Sequence, residues 1–441
     1  MNQHNDSKIW PSLVAGYSLA LAFGFSSYGF CDDWAQWRGA GGRGVWDETG
    51  VLEEFSTEQM PLVWSVSLGS GYSGPTVAKG RVYVTDRVVD PEQVERVHCL
   101  DWKNGQTIWS HGYPCAYEDV GYLAGPRAAV TVVDGFALSL GTMGDLICFD
   151  AESGSVRWHH RLNVTHKIRM PIWGIAASPV AYGGLVIVQI GGEDACLVAF
   201  NIKTGEEVWR ALGDNASYST PIVIEQGGQD VLLCWTGDNI VGVGPTTGEV
   251  YWSIPHPPTA MVINVPTPVV HGDRAFFSGF YDGSTLIQLG QTEPSAEMLW
   301  HRQGASEKET DALHCMISTP IFASDFIYGV DSYGELRCLE ASTGDRIWED
   351  LTATRTERWS NIHMVRNAGK VWMFNEEGYL IIGRLTPVGF EEQSRTHLID
   401  PTEEQLRQRG GVCWAHPAYA YKHVFARNDR ELVCADLSAQ P

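Results

Sequence analysis

Histidine, cysteine and a set of aromatic and polar residues are the side chains here that could do chemistry, and each has a plainer structural explanation. His159, His160 and His166 fall close together, and with His314 they have the ligand type of a transition-metal site. On a strand, however, His159 and His160 point in opposite directions, so both cannot face one ion. The reading favoured is a solvent-exposed loop and no metal. Of the 10 cysteines, Cys99, Cys148 and Cys338 occupy one position of a repeated signature, and Cys196 and Ala199 flank that point in another copy. Equivalent positions of a repeat array are held apart, so these read as small core residues. Cys115, Cys315 and Cys413 are left as the candidates for pairing or reactivity. The sequence carries no phosphate-binding glycine loop, nucleophile elbow or zinc-spaced Cys/His pair.

The third set is Tyr72, Arg127, Trp173, Tyr218, Asn264, His314, Trp359, His363, Trp414 and His416, each shortly before an apolar strand. If those strands are the innermost of a ring, the set gathers at the mouth of a central channel. There it could stack a planar or sugar-like ligand and hydrogen-bond it. The alternative is that these rings fill a tapering channel, with their polar tips satisfied by water and backbone.

The ring itself is read from periodicity. CLDWKNGQTIW (99–109), CFDAESGSVRW (148–158), AFNIKTGEEVW (199–209) and CLEASTGDRIW (338–348) share Gly four residues before a final Trp. Trp64, Trp109, Trp158, Trp209, Trp252, Trp300 and Trp348 follow one another at intervals of 43 to 51 residues, the range of propeller blades. Gly105, Gly154, Gly205, Gly248 and Gly344 supply the positive φ of a tight, bulged turn. The Trp that follows suits the gap between one blade and the next. Ahead of each signature, a Pro introduces an alternating apolar strand and a Gly-containing hairpin, as in SPVAYGGLVIVQ (178–189) and TPVVHGDRAFFSG (267–279). Eight such units are counted, and the last stops at Leu437 without a Trp. LVWSVSL (62–68), a lone outer strand, is left to complete it and close the ring, removing both exposed edges. The expectation is an all-β, eight-bladed β-propeller of four-stranded blades over 62–437, preceded by an N-terminal extension over 31–61. Asp400, Pro401 and Glu403 predict a short helix within DPTEEQLRQRGG.

Residues 1–30 read as a signal peptide: Lys8, an apolar stretch from Leu13 to Phe25, then Ser27 and Gly29 before a possible cut at Phe30. An uncleaved membrane anchor is the competing reading. The protein is thus expected in the periplasm or cell envelope, touching membrane only through this segment. A net charge of −22 without clustered Lys and Arg argues against nucleic acid as a partner.

The signature, with Thr204, Gly205 and Trp209 and again Thr343, Gly344 and Trp348, resembles that of the pyrroloquinoline-quinone-type (PQQ-type) repeat propellers. DWAQWRGAGGRGV (33–45) and CWAHP (413–417) are similar to segments of exported bacterial members. The resemblance implies one of two roles. One is a PQQ-dependent dehydrogenase of alcohols or sugars, holding the quinone and calcium on the axis. The other is a non-enzymatic envelope protein such as the outer-membrane assembly lipoprotein, binding protein partners with no cofactor. No two cysteines are adjacent here, whereas the dehydrogenases share a vicinal Cys-Cys ring, and no local spacing specifies a calcium site. The reading preferred is a non-catalytic binding or scaffolding module for an envelope protein partner, or for a small ligand at the channel mouth. The quinoprotein dehydrogenase and a carbohydrate- or peptide-binding sensor are its alternatives.

Overall fold

Each repeat unit folds as a four-stranded antiparallel meander. In the computed structural model, which describes Met1 and residues 33–439, eight such sheets make an eight-bladed propeller. The third blade is representative: Val180–Tyr182 is innermost, followed outward by Leu185–Gly192, Ala195–Asn201 and Glu207–Ala211. Middle strands are apolar on both faces because both are covered by neighbouring blades, while outer strands alternate. Closure occurs as expected, with Leu62–Ser67 pairing antiparallel to Glu431–Asp436 and placing Trp64 opposite Cys434. The residues read as a signal peptide or anchor lie outside the described residues, apart from Met1. Among the described residues no helix is long and apolar enough to cross a membrane.

The signature has a tighter logic than a turn followed by a Trp. Across the outer strand pair each Trp faces one residue, which is Cys99, Cys148, Ala199, Gly242, Cys338 or Cys434 in six blades and Leu286 in the fifth. A small side chain there leaves room for the indole; a Cβ on Gly242 would meet the Trp252 ring at 2.3 Å. The register then shifts by a bulge, which turns the indole toward the next blade. There it covers that blade's signature glycine. Trp64, Trp109, Trp158, Trp209 and Trp300 lie against Gly105, Gly154, Gly205, Gly248 and Gly344, all with φ between 69° and 76°. Six of the indole N–H groups also donate to a backbone carbonyl of the next blade, as in Trp158 Nε1 to Ile202 O at 2.7 Å and Trp64 Nε1 to Trp102 O at 2.8 Å. Trp252 bonds Gln226 of its own blade instead. Burying such an indole stabilises the fold by roughly 3 kcal/mol, and its hydrogen bond by about 1 kcal/mol.

Several sequence expectations need correcting. The helix predicted from Asp400 is absent. Thr402 is held extended by a bridge to Val412 and a 2.6 Å bond from its hydroxyl to Asp429, leaving a 3₁₀ turn at Arg407–Arg409. Cys115, Cys315 and Cys413 are free and buried like the other described cysteines, and burial pushes the Cys315 thiol up to about 12. None is a reactive thiolate. The histidines do not share a loop, and among the described residues they do not gather with other potential ligands into a group of three or more. His159 and His160 lie on the outer strand Val156–Arg161, bonded to Asp145 and the Gly205 carbonyl; His166 is buried against Glu207, and His314 is in a different blade connection.

The extension at 33–61 crosses one end of the axial channel. Trp34 pairs with Val77 of the first blade, Ala35 O accepts from Val132 of the second, and Gly42 abuts Ile222 of the fourth. Trp37 Nε1 donates to Thr267 ahead of the fifth blade, and Val45 bridges Arg366 of the seventh. A loop tied to five blades plugs the channel. Farther on, Phe55 accepts a bond from neither Trp nor Gly but donates its backbone N–H to Ser394, the residue standing at the Trp position of the seventh blade.

Candidate functional site: a blind aromatic cup on the axis

Strand register defines two layers around the axis above the plug. The layer two residues before each inner strand holds Gly74, Ala129, Ser178, Thr220, Thr267, Thr319, His363 and His416, taking the seventh blade from its pairing of Val365 with Trp372. Backbone N–H groups in this layer donate to the hydroxyl of the following blade: Ala129 to Ser178 at 2.9 Å, Ser178 to Thr220 at 2.9 Å, and Thr267 to Thr319 at 3.1 Å. Thr267 Oγ1 receives the Trp37 indole instead, at 2.8 Å, so the plug is stitched into this belt.

Two residues farther up sit Tyr72, Arg127, Ala176, Tyr218, Val265, Ile317, Asn361 and Trp414. Seven of these, all but Asn361, wall a cavity of about 120 Å³. Trp37, Ser178, Thr220 and His363 form its floor, and Tyr122, Trp173 and Met316 complete its rim. The aromatic walls brace one another: Trp173 stacks on Tyr218 at 5.0 Å between centroids, and Tyr122 meets Trp173 edge-on at 5.4 Å. Tyr122 itself has a φ of 57°, a left-handed conformation that is costly for a bulky residue. Arg127 holds it there, donating to the carbonyls of Gly121, Tyr122 and Gly125 and to Thr142 Oγ1.

The cup therefore has little free charge. Among the described residues no carboxylate lines it, and the Arg127 guanidinium is committed to its own loop and to Thr142. His363 donates from Nε2 to Trp414 O at 2.7 Å, and burial holds its imidazole down to about 4, so it is neutral at pH 7. Burial likewise pushes the Tyr218 hydroxyl up to about 12. Such a lining offers apolar rings and neutral hydrogen-bonding groups rather than an acid, a base or an array of hard metal ligands.

Of the ten sequence candidates, Tyr72, Arg127, Trp173, Tyr218, His363 and Trp414 meet in the cup. Four do not. Asn264 is buried in loop packing, donating to Thr236 O and accepting from Tyr218 N through its carbonyl. His314 joins Phe280 O to Gly304 N. Trp359 packs beside Leu406 and Val412, outside the cavity. His416 lies behind the floor, 4.9 Å from His363 between ring centroids. Asn264, His314 and Trp359 fail because loop lengths differ, so they are not at the register positions that face the axis; those are Val265, Ile317 and Asn361. Exact spacing from each proline would have found Ala176, Val265 and Ile317. Nothing local marks Trp37 or Tyr122.

An eight-bladed ring of these hairpins around a blind axial cup defines a β-propeller of the PQQ-like repeat class. The family model described as outer membrane protein assembly factor BamB matches residues 93–350, and the chain belongs to that family. It is 23% identical over 216 residues to the outer membrane protein assembly factor BamB of Shewanella oneidensis, covering 48% of this chain and 51% of that protein. It is 35% identical over 91 residues to the quinoprotein ethanol dehydrogenase of Pseudomonas putida, 20% of this chain but 13% of that enzyme. The chain thus spans at most about half the length of these two relatives. Its fold also matches the quinohemoprotein alcohol dehydrogenase of Comamonas testosteroni, with a TM-score of 0.65 at 13% identity over 93% of this chain and 81% of that one. At that identity the likeness is one of fold alone.

Proposed function

We propose that this protein is a non-catalytic binding and scaffolding module of the bacterial cell envelope, exported by its N-terminal segment, which captures a protein partner by a side chain inserted into the axial cup. The observation that carries this reading is the lining: aromatic walls, a neutral histidine, a spent guanidinium and, among the described residues, no carboxylate. A cavity of about 120 Å³ has the room of a single ring, comparable to apolar cavities that take benzene. That supports anchoring of one aromatic or large apolar side chain of a partner, the usual form of an interface hot spot. Membership of the BamB family supports an envelope role.

The quinoprotein likeness raises PQQ with calcium as an alternative, and the residues at the cup do not fit it. Calcium needs several hard oxygen ligands, carboxylates above all, and among the described residues the cup offers hydroxyls but no carboxylate. A fused three-ring quinone bearing carboxylates needs more room than one ring and free cations, whereas Arg127 is already bonded. The test has two arms. Purified protein incubated with PQQ and calcium is expected to show neither bound-quinone absorbance nor dye reduction with alcohols or sugars. Affinity capture from envelope extract is expected to retain a protein partner, lost in Trp173→Ala. Quinone-dependent turnover would overturn this reading.

A further inference from the structure

Beneath the cup, the plug buries a cation that the fold leaves unpaired. Arg38 is 2% exposed, yet among the described residues its side chain makes one protein hydrogen bond, Nε to Gly42 O at 3.4 Å, and its two Nη groups, which make none, keep contact with solvent. Arg427, also fully buried, shows how this protein otherwise satisfies such a group. Its Nε, Nη1 and Nη2 donate to the carbonyls of Asn428, Thr85 and Gly69. The Arg38 fork instead has only solvent to bond, which leaves both Nη groups open to an anion.

Two further arginines converge on the same turn. The Arg38 head lies against Gly44, close enough that a Cβ there would meet Nη2. Gly44 N–H donates to Arg38 O, and Gly44 O accepts from Arg366 N at 3.0 Å. Arg43 immediately precedes that glycine and is exposed; among the described residues its side chain bonds only Ala40 O, and half-buried Arg366 forms no side-chain bond. None of the three forms an ion pair among the described residues. Asp47 is the acid within electrostatic range of Arg366, while the neutral His363 and His416 face Arg38. The three guanidiniums gather a local cationic cluster within a chain whose net charge is −22.

We propose that Arg38, Arg43 and Arg366 form a phosphate-binding site at the plugged end of the channel, open to solvent through Arg43. Planar guanidinium forks match phosphate oxygens two at a time, and a divalent phosphate offsets the charge of the cluster. The same chemistry is offered by free phosphate and by a phospholipid headgroup. Calorimetric titration of the full chain with inorganic phosphate at low ionic strength is expected to show saturable binding and a raised melting temperature. Affinity should weaken at least about tenfold in Arg366→Gln, and in Arg38→Gln if that variant folds; Arg43→Gln, whose exposed position tolerates the change, should weaken it as well. Flotation with phosphatidic-acid vesicles that is lost in Arg366→Gln assigns the headgroup as the source. Phosphate binding without flotation assigns the free ion. No saturable phosphate binding by the wild type, or equal binding by Arg366→Gln, overturns the proposal and leaves the cup reading untouched.

Discussion

In the outer hairpins one pair of residues meets again and again, Trp of one blade over Gly of the next. Around the axis, the eight equivalent positions from Tyr72 to Trp414 hold seven different residue types. The same blades build both regions, so the difference is one of task. The hairpins must dock every blade on its neighbour in one geometry, and a single solution serves wherever it is used. The axis bears no such constraint once the ring is closed, and its residues are free to shape a cavity. Where the repeat fails, the extension intervenes: the seventh blade has Ser394 in place of Trp, and Phe55 packs there against Trp372.

The comparison breaks if the hairpin residues are dispensable. Trp209→Ala should cost about 3–5 kcal/mol in urea-induced unfolding, because it empties an interblade slot. Wild-type stability in this variant would refute the interblade lock. Gly205→Ala should cost roughly 2–3 kcal/mol by the same measurement, since it combines a left-handed φ of 75° with a contact at 2.7 Å to Trp158. Gly135→Ala, at a left-handed turn with open space around it, separates the two causes by retaining only the strain.

The axis is expected to respond to acid instead. His363 is held down to about 4 in the folded protein and titrates near 6.5 once unfolded. The unfolded chain therefore binds more protons between those values, so this contribution is full above pH 6.5 and lost as pH falls toward 4. From pH 7 to pH 5 it should amount to about 2 kcal/mol, seen as a shallower pH slope of the unfolding free energy in His363→Gln than in the wild type. Equal slopes would mean that the imidazole is not held neutral. The smallest stability effect is reserved for the rim. Trp173→Ala should change unfolding free energy by about 1 kcal/mol or less while abolishing capture of a partner from envelope extract. If it unfolds the protein, the cup aromatics are packing residues.

The blade count, the closing strand and the Trp and Gly positions were legible in the sequence because each depends on spacing along the chain. Local chemistry was a weaker guide. Asp400, Pro401 and Glu403 have the composition of a helix start, but Asp429, distant in sequence, holds Thr402 extended. For the site, proximity to an inner strand recovered six lining residues and misplaced Asn264, His314, Trp359 and His416, since facing the axis depends on the exact register.

What the sequence determined by itself was the repeating part: a strand period of two, a turn that only glycine makes comfortably, and a Trp at a fixed offset are all local facts. Tertiary structure alone decided that Trp37 would floor the cup, that Arg127 would be consumed by the loop carrying Tyr122, and that Arg38 would be buried beside Arg43 and Arg366. Those outcomes rest on contacts between segments far apart in the chain, as with Trp37 and Thr267, 230 residues apart. No periodicity encodes such meetings, because they exist only once closure has brought the blades around a common axis.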